Sequence, residues 1–240
     1  MIYHCLFEQS GTFKNVIKRC GGRAKDYDIL NDYGETDVQI DLFEQIDRAY
    51  LEINSIFDKI KPDDFILAFF PCTRFEDQCN MNFQGNAYQM KNWSDEKKLN
   101  YDLYLHSQLS RNYELVTRLA LVALRKKVPL IIENPMGKEH YLTRYWAIKP
   151  KVIETNRVEH GDYYKKPTQF WFINCDPKNN LIFRNYENHY RGRIEDVTKD
   201  RAKVRSEIHS DYAVWFLMNY VFDDKFIQEI TDEEYRGAKK

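Results

Sequence analysis

The 240-residue chain predicts an open, mostly parallel α/β sheet with helices on both faces. Short apolar runs of strand length alternate along it with longer segments of helical periodicity. Two of those runs, Phe65-Ile66-Leu67-Ala68-Phe69-Phe70 and Val128 to Ile132, have no polar interruption, as expected of strands buried on both faces. A 29.0 kDa chain with 43% hydrophobic residues can also hide roughly 73% of its unfolded surface, enough for a large core.

Ile2 to Phe7 reads as the first strand, a helix through Val16 and Ile17 follows, and a second strand ends near Tyr27 and Asp28. Val38 to Leu42 is a third short strand. An amphipathic helix is expected from Phe43 to Ile60, with Ile46, Tyr50, Ile53 and Phe57 on one stripe. After the apolar strand at 65–70, Ser94 with Asp95 and Glu96 marks a helix start, because a hydroxyl and two acids suit the unpaired amides there. That helix runs towards Lys127 and ends in Arg125-Lys126-Lys127, cations that favour a helix C-terminus. Val128 to Ile132 is the fifth strand, and Ala213 to Phe222 a C-terminal core helix packed through Phe216, Leu217, Tyr220 and Val221. The chain reads as a single domain over 1–240, with a loop insertion at 73–94 and a short basic segment at 174–205. The charged tail, Thr231 to Lys240, is expected to be disordered.

Charge and cysteine usage narrow the function classes. Lys+Arg 36 against Asp+Glu 37 excludes a global polycation, and no apolar run approaches the length of a membrane span. The signs nevertheless segregate: residues 1–120 carry 14 basic and 19 acidic side chains, and residues 121–240 carry 22 and 18. The second half can therefore present a basic face to a polyanion, or simply a solvated surface. Cys5, Cys20, Cys72, Cys79 and Cys175 show no CxxC pairing, and with no secretory leader visible a reduced, cytoplasmic protein is expected. The six histidines lack H-x-x-x-H or H-E-x-x-H spacing, so no metal site is predicted.

Ligands of such sheets gather beyond the carboxyl ends of the strands. Phe7-Glu8-Gln9-Ser10-Gly11-Thr12 follows the first strand and opens a helix, where backbone amides can approach a cofactor. Asp28 and Asp41 close the next two strands and can accept hydrogen bonds from a ribose and an adenine; each can equally be a turn or cap acid. Phe70-Pro71-Cys72 ends the fourth strand and Glu133-Asn134-Pro135 the fifth. Adjacent parallel strands would bring together a thiol, a candidate nucleophile, and a partly desolvated carboxyl suited to share a proton. Cys72 is also open to a bland reading as a small buried hydrophobe. Cys79 is a conceivable redox partner for it but more simply a spare buried thiol.

In this order F-x-x-S-G-T, Asp28, Asp41, F-P-C and E-N-P resemble the DNA cytosine-5 methyltransferases, over residues 2 to about 174 with an echo at Arg205-Ser206-Glu207-Ile208. The resemblance implies a Rossmann-like methyltransferase sheet and S-adenosylmethionine as cofactor, held by Phe7, Glu8, Ser10, Gly11, Thr12, Asp28, Asp41 and Pro71. It implies that Cys72 adds to carbon 6 of cytosine while Glu133, with Asn134 beside it, stabilises the adduct at ring nitrogen 3. The substrate would be DNA, its target base flipped from the stack, or another cytosine-containing nucleic acid or nucleotide.

The sequence departs from the family at two places. Gln9 stands where a glycine is expected, and Lys165-Lys166-Pro167-Thr168-Gln169 stands near the expected Q-x-R-x-R. Lys165, Lys166 or Gln169 could take the arginine's part. The short 174–205 segment leaves recognition to the 73–94 loop, where Arg74 and Phe75 could contact bases, or to a protein partner. The loop's aromatics could instead plug the domain surface. A catalytically degenerate nucleic-acid-binding protein on the same fold, and a methyltransferase for RNA or a free nucleotide, are the competing readings.

Overall fold

A computed structural model describes residues 1–76, 79–183, 185–192, 196 and 201–227; of residues 201, 202 and 205 it describes the backbone alone. The tail from Thr231 and parts of the 174–205 segment lie outside the described residues, as does the Arg205 side chain. The chain forms β1 (Tyr3–Leu6), α1 (Thr12–Arg19), β2 (Ala24–Asp28), β3 (Val38–Gln39), α2 (Leu42–Tyr50), β4 (Phe65–Ala68), α3 (Asn80–Phe83) and α4 (Asp95–Lys126). It continues through β5 (Leu130–Pro135), α5 (Tyr141–Tyr145), β6 (Val152–Glu154), β7 (Thr168–Ile173), α6 (Arg201–Ser206) and α7 (Ser210–Phe216).

The seven strands lie in the order β3-β2-β1-β4-β5-β7-β6. β1 pairs parallel with β2 and β4, and β4 with β5, while β7 runs antiparallel between β5 and β6. The pleat sends alternate side chains to opposite faces, so two cores form. Leu6, Ile66, Ile132 and Trp171 pack with Leu42 and Ile46 of α2 and Leu115 and Leu119 of α4. Cys5, Leu67, Ile131 and Phe172 pack on the other face with Phe13 and Ile17 of α1 and Phe216 of α7. An open, mostly parallel sheet covered by helices on both faces is therefore the fold.

Several boundaries differ from expectation for local reasons. α2 stops at Tyr50; Glu52 adopts a left-handed φ of 58° and Ile53 is exposed, and a separate 3₁₀ turn, Ile56–Lys59, carries Phe57 back into the core. β3 is only two residues long because Asp41 leaves it to cap α2, accepting from the amides of Phe43 (2.9 Å) and Glu44 (3.3 Å). β5 extends through Pro135 because β7 pairs with it as far as Pro135 opposite Thr168. The C-terminal helix becomes a π-turn over Leu217–Val221. Among the described residues no helix is long and apolar enough to cross a membrane.

The strand order reverses between β1 and β4: the chain runs outward through β2 and β3, then returns to the other side of β1. A crevice opens beyond the carboxyl ends at such a switch point.

Candidate functional site

On one side of that crevice lies a cavity of about 400 Å³ lined by Phe7, Gln9, Asp28 to Leu30, Asp41 to Phe43, Phe69 and Pro71. The chain reaches it from β1 through a tight turn in which Phe7 (φ 60°) and Gly11 (φ 66°) are left-handed. Gly11 is needed twice over, since a Cβ there would also lie 3.1 Å from the side chains of Asn15 and Glu35. Asp28 spends Oδ1 on the amide of Leu30 (2.8 Å), and burial pushes its carboxyl above the ordinary range. Gln9 reaches across to accept from the amide of Asp32 (3.2 Å).

Three expected cofactor contacts are otherwise engaged. Glu8 turns inward and caps α1, accepting from the amides of Phe13 (2.5 Å) and Lys14 (3.3 Å). Ser10 and Thr12 hydroxyls bond each other at 3.0 Å, and Thr12 donates to the carbonyl of Ile208 at 3.4 Å. Only Phe7, Asp28, Asp41 and Pro71 of the expected set line the cavity. Its volume suits a small-molecule ligand, and apolar walls between two acids suit a nucleoside. The two acids are the acceptors that an adenosyl group's hydroxyls and amino group would meet there.

Burial pushes the Glu8 carboxyl up to about 7 from an ordinary 4.5, against the two amides that oppose the shift. Folded Glu8 thus holds its proton between roughly pH 4.5 and 7 while the unfolded chain releases it, so its contribution to stability falls as pH rises through that window. Glu8→Gln cannot ionise. The stability of the variant relative to wild type is expected to rise between pH 5 and pH 8 in urea titrations; a pH-independent difference would contradict the assignment.

Across the crevice stand the thiol and the second carboxyl. Cys72 is half-buried, and its Sγ donates to Glu76 Oε1 at 2.9 Å. Burial, then the Glu76 charge, holds the thiol far above its ordinary range; the nearby Lys166 ammonium pulls the other way, and Glu133 adds to the rise. Glu133 is buried, and its Oε1 accepts no hydrogen bond from any described residue. Asn134, fully buried, donates to the carbonyls of Phe70 (2.7 Å) and Glu133 (2.8 Å). Its amide nitrogen therefore joins the end of β5 to the F-P-C turn.

Arg157, which sequence reasoning passed over, completes this side. It sits in the 3₁₀ turn Arg157–His160 after β6 and is 1% exposed. Nη1 lies 4.0 Å from Glu133 Oε1 and 3.5 Å from Thr168 Oγ1, Nη2 pairs with Asp162, and the guanidinium covers the Tyr212 ring at 4.5 Å. A cation thus stands beside Glu133, delivered by a turn rather than by the strand searched for it. The only sequence signal was an arginine inside the otherwise unassigned Glu154-Thr155-Asn156-Arg157 stretch.

The expected substrate contacts divide. Gln169 is a correction: fully buried, it donates to the carbonyl of Pro135 (2.8 Å) and to Thr143 Oγ1 (2.6 Å). β7 alternation turns it from the face that bears Thr168 and Glu133. Phe75 is also corrected, being wholly buried against Phe70, Tyr113 and His140, so it plugs the fold and cannot stack on a base. Arg74 folds back over the Tyr104 ring at 5.7 Å. Lys165 is exposed, and Lys166 is near enough to act on Cys72. Of the loop aromatics Tyr88 is the free one, 89% exposed.

No protein-family model matches the chain, and no curated protein matches it. Among solved structures, a candidate DNA modification methyltransferase encoded within a prophage (E. coli) superposes with a TM-score of 0.40 at 14% identity, covering 72% of this chain and 46% of that one. The chain thus spans less than half the length of that structure.

Proposed function

We propose that the protein transfers a methyl group from S-adenosylmethionine to carbon 5 of cytosine in DNA through a covalent adduct on Cys72. The observation that carries this reading is the meeting of the Cys72 thiol and the open Glu133 carboxyl at the carboxyl edge of β4 and β5, beside the cavity at the β1–β3 ends. When bound, S-adenosylmethionine supplies an electrophilic methyl group. Phe7, Asp28, Asp41 and Pro71 would hold it. Cys72 gives up its thiol proton to solvent as the base docks and attacks carbon 6 as the thiolate, which pushes electrons to carbon 5. Glu133 holds ring nitrogen 3 by a shared proton, and Arg157 keeps Glu133 oriented. After transfer a base removes the carbon 5 proton, and Cys72 leaves as thiolate. The basic second half, with Lys166 near Cys72, supports a polyanionic substrate.

Gln9 favours a second reading. Its side chain lies along the cavity wall and is tied to Asp32, which narrows the approach to the turn where the family's pattern has glycine. A nucleic-acid-binding protein that has lost cofactor affinity would carry such a change.

One experiment separates the two. DNA containing 5-fluorocytosine is incubated with S-adenosylmethionine, because fluorine blocks the final elimination and traps a working enzyme. The proposal expects a denaturation-stable adduct that disappears in Cys72→Ala. No adduct on single- or double-stranded DNA of varied sequence would sink the cytosine-5 reaction, and an adduct that persists in Cys72→Ala would name a different nucleophile.

A further inference from the structure

The spacing of the histidines predicted no metal site, yet the fold gathers three ligand-bearing side chains outside the lining of the crevice cavity. His209 immediately precedes α7, Asp211 lies in its first turn, and His189 arrives from the segment after β7. One ligand atom from each falls within 4.8 Å of the others, and all three residues are half-buried. We propose that His189, His209 and Asp211 form a binding site for a divalent cation of the zinc class. The inference does not rest on the methyl-transfer reading.

The geometry suits such an ion. His189 Nε2 is 2.9 Å from Asp211 Oδ2, and His209 Nδ1 is 3.8 Å from the same oxygen. A cation about 2.1 Å from both atoms of each pair would see them at angles of about 87° and about 130°, which bracket the tetrahedral value. Two imidazoles and one carboxylate leave a fourth position for water, the donor set of borderline ions rather than of magnesium or calcium, which take oxygen ligands.

The ligands are also held in advance. The His209 amide donates to Asp162 Oδ1 at 2.8 Å, and the Tyr163 ring meets the His209 ring edge-on at 4.9 Å. Arg191, two residues beyond His189, covers the Tyr163 ring at 3.6 Å and donates its amide to the Tyr163 carbonyl at 2.9 Å. Behind the cluster Gly161 packs so tightly that a Cβ there would lie 2.8 Å from Asp211 Cβ. The two imidazole rings pack with centroids 3.7 Å apart and planes tilted by 32°, which keeps the two side chains together. Among the described residues the His209 Nδ1 lone pair accepts a 3.1 Å hydrogen bond from the Asp211 amide, which a metal bond would replace.

A bound ion would fasten the His189 segment to α7. Through His209 and Asp162 it would also brace Arg157 and, beyond it, Glu133. The site is thus a staple for the chain that follows β7.

Protein stripped with a chelator and titrated with Zn²⁺ by calorimetry tests this. One equivalent should bind, with Mg²⁺ giving no heat, and Co²⁺ should develop visible absorption of four-coordinate intensity. His189→Ala should weaken Zn²⁺ binding at least about tenfold, as loss of one ligand requires, while His106→Ala on α4 leaves it unchanged. His189→Gln, which keeps the side chain's bulk and polarity, should lose the ion as well, and circular dichroism of both metal-free variants should match wild type. No Zn²⁺ binding by the wild type, or binding of equal affinity in both His189 variants, would overturn the proposal.

Discussion

Arg157→Ala is expected to cost about 3–5 kcal/mol of folding stability, the range for removing one member of a buried ion pair. The guanidinium is 1% exposed, its partners Asp162 and Glu133 are 2% and 9% exposed, and Tyr212 covers its face. Removing the cation leaves two carboxylates in a low-dielectric pocket, with the amides of Tyr163 and His209 bonded to Asp162 as the remaining compensation. Arg157→Lys should recover only part of the loss, because a point charge cannot reach Asp162, Glu133 and Thr168 together as a planar fork does. Adding Asp162→Asn to Arg157→Ala should give a double variant more stable than additivity predicts, since it removes a charge the first change stranded. Urea unfolding of the wild type, Arg157→Ala, Arg157→Lys, Asp162→Asn and the double variant measures all of this. A loss below about 1 kcal/mol in Arg157→Ala, typical of solvated pairs, would show that the cluster is not the buried network described.

That cluster marks the limit of what the sequence made legible. The strand ends were readable because hydrophobic runs, prolines and single polar residues stand next to one another in the chain: F-P-C and E-N-P emerged where a parallel sheet should deliver them. The positions of Asp28 at the end of β2 and Asp41 just beyond β3 were legible the same way. Burial on the far side of a turn was not readable. Phe75 follows Cys72 by three residues and could be read as a stacking ring or as a plug; the carbonyl of Cys72 accepts the Phe75 amide at 2.7 Å and turns the ring into the core between Phe70 and Tyr113. Glu8 looked like a ligand acid and is a helix cap, because the first turn of α1 has no acid of its own to meet its free amides. Gln169 and Thr168 differ only in strand parity, which the position of one β7 residue opposite β5 decides. Arg157 and the His189–His209–Asp211 group are assembled from separate elements, so no local spacing could announce them.

Glu76→Gln should raise the alkylation rate of Cys72 at pH 8 by about tenfold or more, the factor that one unit of thiol pKa carries. In wild type the thiol is held neutral by burial and by the Glu76 carboxylate that accepts its proton at 2.9 Å. Glutamine can still accept that hydrogen bond but brings no negative charge, so the burial cost and the Lys166 attraction decide the new balance. Lys166→Ala should move the rate the opposite way. Iodoacetamide labelling followed by peptide mass spectrometry reads Cys72 apart from the other four cysteines, of which Cys5 and Cys79 are buried. Unchanged labelling in Glu76→Gln would mean that burial alone withholds the thiolate. The same variant sharpens the functional proposal. A nucleophile that must wait for its substrate gains from a neighbour that keeps it protonated, provided the neighbour yields when the base arrives. If Glu76 only withholds the thiolate, adduct formation on 5-fluorocytosine DNA should speed up together with alkylation. If Glu76 also orients the F-P-C turn, alkylation should rise while adduct formation falls, and the two rates measured on one variant distinguish a restraint on Cys72 from a support for it.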